Sequence, residues 1–520
     1  MSRYSKRTTL AAKHRLKLKA VTYHTPAKHV SLKVWVCVFI YALVTGLLIQ
    51  LVVLPYVFPQ LHAGNGLLAG RDWVGFHEQA VVQAQKIAEL GWGEFLLRPD
   101  GDNSVIGLAS FFYVVFGPYP YTLLPLNAAM FAAGGVALFS ILKQLQLKDD
   151  EALIALLPYL IFPSALLQYG QMHKDVFCTA GLLVVLWSWV SLLNQRCQRW
   201  QIIPLIAISC VAVVVVSVFR PYFMLVLLGL AVFLCAWYLV RTLWGFFMRL
   251  TRLTGTSSNG ALNRNLQSTI ILSLLSGFLY MMSNTYLDVR LKPLSRDATH
   301  SGLTIPSFSL NSNATVRSAD ASRILKLHDE EALATAIREC RPVVILRDDA
   351  VIENTVNRIF LKIAVARAGF TSSGGTTAAS NIDRGIDFCK NEDLIRYIPR
   401  ALQIAFFAPF PSNWFALEKR NSSAIEIYIS AVEMFYCYIA YFGLLYWLFS
   451  YRRWSVSLVV PIAFAVGMSL LLGLTVANVG TLYRMRFPFA MIFVSIGMAG
   501  ILQLAKIRPP WVESSDSSRD

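Results

Sequence analysis

Residues 34–56 read VWVCVFIYALVTGLLIQLVVLPY, a run without a charged side chain, and the 33 residues before it carry nine Lys and Arg and no Asp or Glu. A hydrocarbon core about 30 Å thick takes about 20 helical residues to cross, so this run is a membrane span. It is longer than a signal-peptide core and has no small-residue cleavage site, and so reads as an uncleaved anchor. The basic segment 1–33 is then expected in the cytoplasm, against anionic lipid.

The rest of the chain extends this pattern. Of 520 residues, 56% are hydrophobic and 15% charged, where a soluble domain carries about 25% charged residues. No run alternates with the period of two that marks a barrel strand, so the spans are helices. Apolar runs at 34–56, 120–142, 152–168, 176–194, 201–219, 221–240, 267–286, 424–449, 455–476 and 487–505 predict an all-α polytopic membrane protein of about ten transmembrane helices. With that count both termini lie inside, and the inner loops collect Arg196, Arg199, Arg241, Arg264, Arg452, Arg453, Lys506 and Arg508, as the positive-inside rule requires. A net charge of +17 does not point to nucleic acid, because the basic tail lacks a folded surface with stacking aromatics.

The expected organisation is a cytoplasmic tail (1–33), an N-terminal membrane domain of seven spans (34–286) with an outer loop at 57–119, and an extracytoplasmic polar region (287–399). The chain then forms a C-terminal membrane domain (400–505) and ends in a short cytoplasmic tail (506–520). Two shorter apolar pieces, SVIGLASFFYVVFG (104–117) and RALQIAFFAPFPSNWF (400–415), read as interfacial or re-entrant. The polar region mixes helix-like text (330–340 and 348–370) with a Ser/Thr/Gly-rich stretch (371–385). Of eight cysteines, only Cys340 and Cys389 fall in this outer region, where a disulfide is expected to form. There is no metal-ligand spacing and no phosphate-cradling Gly-rich loop, so no cofactor is implied.

Candidate chemistry sits at outer ends of spans. In the first outer loop, Trp73 to Leu90 has amphipathic spacing, with Trp73, Phe76, Ala80, Ile87 and Leu90 as an expected membrane-facing set and His77, Glu78, Gln83 and Lys86 on the polar side. Asp72 opens this helix, either as its N-cap or as a catalytic base at the membrane surface. The outer turn His173–Lys174–Asp175 raises the same choice for Asp175, and Lys174, Arg220, Arg484 and Arg486 are cations at headgroup level. Glu433 lies inside a span, where a carboxylate is costly and faces a cavity or a partner.

This order of features resembles the GT-C superfamily of polyprenyl-phosphate-sugar-dependent glycosyltransferases: a basic tail, one span, an outer loop with an early Asp72 and an amphipathic helix, a stretch ending in Phe116–Gly117, a span with Pro163, and an outer turn with Asp175. IFPSALLQYGQMHKDVF (161–177), RPYF (220–223), PFPSNWF (409–415) and NVGTLYRMRFP (478–488) also resemble membrane proteins of bacterial polysaccharide clusters. The resemblance implies Asp72 and Asp175 as catalytic carboxylates that accept or orient the proton of a sugar hydroxyl. Glu78, Lys174, Arg220, Glu433, Arg484 and Arg486 are substrate-binding candidates, the cations among them facing a lipid phosphate.

The implied partners are a polyprenyl-phosphate-linked sugar donor, a glycan or lipid acceptor and membrane lipid, with localisation to a bacterial inner membrane. A polysaccharide polymerase or ligase has the same requirements. A lipid-linked glycan transporter requires charges distributed along the spans and repeat-related broken helices instead. A structural assembly factor would leave Asp72 dispensable.

Overall fold

In the computed structural model the chain is described at 28–69, 72–99, 103–194, 198–251, 266–281, 391–414, 424–450 and 455–506, with short pieces between 359 and 388. Among these residues the long elements are α1 (Lys28–Leu48, continued by a π-helical turn to Val57), α2 (Asp72–Leu90), α3 (Ser104–Phe116), α4 (Leu124–Gln144), α5 (Asp149–Ile161), α6 (Pro163–Tyr169), α7 (Asp175–Leu193), α8 (Arg199–Phe219), α9 (Phe223–Thr251), α10 (Leu266–Met281), α11 (Asn391–Phe407), α12 (Ala424–Ser450), α13 (Val456–Thr475), α14 (Val479–Met485) and α15 (Phe487–Lys506). Two isolated bridges, His62 with Leu68 and Asn381 with Asn478, are the only β pairing among the described residues.

Among the described residues eight helices are long and apolar enough to cross a membrane: His29–Val57, Pro120–Gln144, Asp175–Leu193, Trp200–Phe219, Phe223–Trp244, Tyr428–Ser450, Val456–Thr475 and Phe487–Ala505. The other two of the ten expected spans differ in a specific way. The described part of the run at 267–286 is helix α10, which ends at Met281 where the described residues end, and the run at 152–168 is a pair, α5 and α6, bent by 70°.

Pro163 causes that bend. Proline has no N–H to donate and disfavours helical backbone in the residue before it, and Phe162 leaves the helix at φ −59°, ψ 130°. Restarting the helix at Pro163 leaves the first N–H groups of α6 without intrahelical partners. Glu433 of α12 reaches in, and its carboxylate accepts from Ser164 N–H at 2.7 Å.

The helices alternate in direction, so that two ends of the bundle can be told apart. At one end Gln144 meets Ser191 (2.9 Å) and Asn194 (3.4 Å). At the other lie the end of α1, the starts of α7, α9 and α15, and the ends of α6, α8 and α13. Small residues let α12 and α15 approach closely: a Cβ on Gly497 would fall 2.0 Å from the Ala440 carbonyl, and one on Gly500 2.1 Å from that of Gly443. Close backbone contact of this kind replaces the hydrophobic drive that lipid does not supply.

The outer loop packs differently from expectation. Most of the stripe read as membrane-facing is buried against α3: Trp73 and Ala80, with neighbouring Ala84, cluster with Val105, Ile106, Ala109 and Tyr113, Ile87 is buried too, and Phe76 is partly buried. Only Leu90 of that set is largely exposed. The reason is α3 itself, whose 13 residues present a small, apolar inner face and send Phe111, Val115 and Phe116 outward. His77 and Gln83, read as polar-face residues, are likewise buried. His77 Nδ1 lies 2.8 Å from Tyr113 Oη, and Gln83 donates to the Leu96 carbonyl at 2.7 Å. Burial lowers the pKa of His77, and the charge of Glu78 draws it partly back up.

Residues 287–358, with Cys340, lie outside the described set, and so does Cys389. The described pieces near 381–388 are pinned to the bundle. Ile382 donates to the Ala477 carbonyl at 2.9 Å, and Asn478 donates to Asn381 at 3.0 Å. Arg400 of α11 grips both oxygens of Asp383, at 2.9 and 3.1 Å, which holds that carboxyl below its ordinary pKa. Buried Arg367 donates to the carbonyls of Ile386 (3.0 Å), Asp383 (3.2 Å) and Leu474 (3.3 Å). The C-terminal end of the polar region is thereby fastened where α13 gives way to α14.

Candidate functional site

The bend at Pro163 turns the chain inward, and polar side chains of neighbouring spans hold the segment from Tyr169 to Gln171. Gln50 of the first span donates to the Gly170 carbonyl at 3.0 Å, and Asn127 of α4 donates to those of Tyr169 (3.2 Å) and Gln171 (3.1 Å). Fixing this turn places His173, Lys174 and Asp175 at the start of α7. Arg220 is the residue at which α8 ends, with Pro221 preventing its continuation. Arg484 stands in the last turn of α14, a short helix started by Asn478, whose Oδ1 accepts from Thr481 N–H at 3.0 Å.

These elements enclose an open cavity of about 470 Å³, walled by Asp72, Phe76 and Gln79 of α2, Asn103, the His173–Asp175 turn, Arg220, Phe370, Thr481 and Arg484. The two carboxylates in it differ sharply. Asp175 is buried and both its oxygens are taken: Oδ1 by the Arg220 guanidinium, with Nε at 3.1 Å, and Oδ2 by His173 Nδ1 at 2.9 Å. Arg220 also donates to Tyr222 Oη at 2.9 Å. The Asp72 side chain is 62% exposed, and its ion pair to Arg484 is long at 3.6 Å. Lys174 Nζ donates to Asn103 Oδ1 at 2.7 Å.

His173 links the two acids through Arg484. Its Nδ1 lies within reach of both the Asp175 carboxylate and the Asp175 N–H, the latter at 3.2 Å, which would require opposite tautomers. The other ring nitrogen decides. Nε2 faces the Arg484 guanidinium at 3.4 Å, and a guanidinium only donates. Nε2 therefore accepts, and Nδ1 carries the proton toward Asp175.

Burial lowers the His173 pKa, Asp175 draws it partly back up, and Arg484 and Arg220 lower it. Neutral His173 thus contributes stability that is fully present above the unfolded histidine value of about 6.5 and is lost as pH falls through the lower folded value. The wild-type unfolding midpoint is expected to drop as pH goes from 7 to 5, and His173→Gln to flatten part of that slope. A thermal unfolding series in detergent reads this, and identical slopes for the two proteins refute it.

Five of the eight candidate residues named from the sequence meet in one place: Asp72, Lys174, Asp175, Arg220 and Arg484. Three do not. Glu78 is exposed on the side of α2 away from the lining set. Glu433 is buried and bonded to Ser164 of α6. Arg486, expected at the headgroups, is buried instead because it lies just past the last turn of α14. It donates to the Ala405 carbonyl of α11 at 2.9 Å and packs its guanidinium 5.3 Å from the Tyr483 ring.

No family model, curated protein or solved structure matches the chain. The site therefore stands on its own geometry. His173, Asn103, Tyr222, Phe370 and Thr481 join it without having been singled out as site residues. His173 and Tyr222 are immediate neighbours of residues that were, in HKD and RPYF, but nothing in a linear reading marks Asn103, Phe370 or Thr481.

Proposed function

We propose that this protein is a membrane glycosyltransferase of GT-C type, which transfers a sugar from a polyprenyl-phosphate-linked donor to a surface glycan or glycolipid at the outer face of a bacterial inner membrane. One observation carries the reading: an exposed carboxylate, Asp72, shares a cavity with Arg484, Arg220 and Lys174 at the level where spans α7, α8 and α9 begin or end. That level is where the phosphate of a lipid carrier lies while its chain remains in the bilayer.

The residue types fit the chemistry. Asp72 takes the proton of an acceptor hydroxyl as its oxygen bonds to the anomeric carbon. The bond from that carbon to the phosphate oxygen breaks, and the lipid phosphate leaves with the electron pair. Arg484, with Lys174 and Arg220, stabilises the charge on the leaving phosphate. Asp175 does not touch the acceptor in this scheme. It is a positioning residue, holding Arg220 and His173 in place.

Two measurements test the reading. In a deletion strain, the surface glycan should lack a sugar while the corresponding polyprenyl-linked monosaccharide accumulates. Accumulation of a complete lipid-linked repeat unit would replace the transferase with a polymerase or ligase, and unchanged glycan and precursors would remove both. The outer-face placement is tested in a cysteine-free background. Gln79→Cys at the cavity should react with a membrane-impermeant thiol reagent in intact cells, and Gln146→Cys at the opposite end only after lysis. The reverse pattern would put the cavity on the cytoplasmic side, away from the proposed acceptor.

A further inference from the structure

We infer that Arg484 is a latch on Asp72 that a phosphate anion opens, so that the lipid phosphate must enter the cavity before the carboxylate is free to act as base. The inference rests on the glycosyltransfer reading for its consequence, the order of the two substrates, but its physical basis is separate.

The geometry has three parts. First, Arg484 is shared between unequal partners: Nη2 lies 3.6 Å from the exposed Asp72 carboxylate, and Nη1 3.4 Å from Nε2 of buried His173. The second is a deficit, since Arg484 Nε is buried and has no hydrogen-bond partner among the described residues. A guanidinium usually presents its fork of donors to a planar anion in pairs, and here neither the carboxylate nor the imidazole takes it that way. The third is room: the 470 Å³ cavity opens directly on Arg484, with Lys174 and Arg220 on its wall.

An ion pair this long, with its carboxylate open to water, contributes little, so a phosphate oxygen placed on Arg484 wins the guanidinium from Asp72. The displaced Asp72 keeps its negative charge and loses the cation that stabilised it. The carboxylate is then free to take a proton from the acceptor hydroxyl. Phosphate entry and base activation are thus one event, and an acceptor arriving at an empty cavity meets a carboxylate still held by Arg484.

The prediction is a competition, and it is read by binding alone, with no sugar transferred. Full-length protein in detergent is titrated with inorganic phosphate and with farnesyl phosphate, the quenching of tryptophan fluorescence serving as signal because Trp73 packs edge-on against His173, with ring centroids 6.0 Å apart. Calorimetry repeats each titration independently of the fluorophore. Asp72→Asn removes the competitor and should tighten anion binding by about threefold to fivefold. Arg484→Gln should weaken it on the order of tenfold or more. Glu78→Gln removes a nearby exposed charge from the same helix without touching Arg484, and should change nothing.

The double variant decides. If the carboxylate acts through Arg484, Asp72→Asn adds no affinity in the Arg484→Gln background. Tighter binding of farnesyl phosphate than of inorganic phosphate, with the same pattern across variants, assigns the latch to a lipid-borne anion. Equal affinities assign it to the free anion. The latch is overturned if neither probe binds, if Asp72→Asn binds no tighter than wild type, if Glu78→Gln tightens binding as much, or if the gain persists without Arg484. A failed pattern in a protein whose deletion removes a glycan sugar refutes the latch alone. An intact pattern in a protein whose deletion changes no glycan refutes the transferase and leaves the anion switch.

Discussion

Asp72→Asn is expected to leave insertion and abundance unchanged and to lower glycan transfer by about 10²–10⁴, the usual range for loss of general-base assistance. The substitution is mild in every respect but one. Asn caps a helix about as well as Asp, and α2 begins at Asp72. The side chain is 62% exposed, and the amide oxygen of Asn can still accept from Arg484, whose own side chain is 12% exposed. The pair with Arg484, at 3.6 Å and open to water, is worth about 0–1 kcal/mol. What the amide cannot do is accept the acceptor's proton. Transfer from a polyprenyl-linked donor, assayed in membranes at matched protein levels, reads the difference. Near-normal product would eliminate Asp72 as base, and with it the observation on which the transferase reading chiefly rests.

The sequence made the membrane helices legible because their signal is additive: a run of about 20 apolar residues announces itself wherever it occurs. It could not show that 152–168 is broken, although Pro163 was in view, since proline inside a span is tolerated when neighbours satisfy the freed amide. The neighbour here is Glu433, 269 positions away in the chain. The same distance in sequence hid the purpose of Glu433. An acid in a span implies a cavity or a partner, and the structure shows a partner, the Ser164 N–H at the start of α6.

The amphipathic helix α2 shows a related limit. Periodicity identifies an apolar face but not what covers it, and α3, itself apolar, competes with lipid for the position. Within the site, Asp72, Lys174, Asp175, Arg220 and Arg484 were legible because charged residues at the ends of spans are few. Their division of labour was not, because two carboxylates that look alike in sequence differ in burial and pairing. Arg486 is the simplest case. Two positions beyond Arg484, on a helix of 3.6 residues per turn, its side chain points to a different neighbour.

That difference between the carboxylates yields the second large effect. Asp175→Asn is expected to damage the fold, where Asp72→Asn does not. It leaves the largely buried Arg220 guanidinium without its counter-charge, and breaking one side of a buried ion pair costs up to about 3–5 kcal/mol. The one oxygen left on Asn cannot replace the two that serve Arg220 and His173 Nδ1, so one of those donors faces an NH2 group. The expected result is protein that elutes poorly from detergent chromatography and unfolds at lower temperature. Replacing both charges, as in Asp175→Leu with Arg220→Met, should restore much of that stability, because matched apolar groups carry no desolvation penalty. The double variant should still transfer no sugar, since Arg220 also lines the cavity that receives the phosphate. Stability recovered in the double variant assigns the damage in the single variant to the unpaired Arg220 charge. A stable, monodisperse Asp175→Asn single variant lacking only transfer would instead make Asp175 a second carboxylate acting on the acceptor.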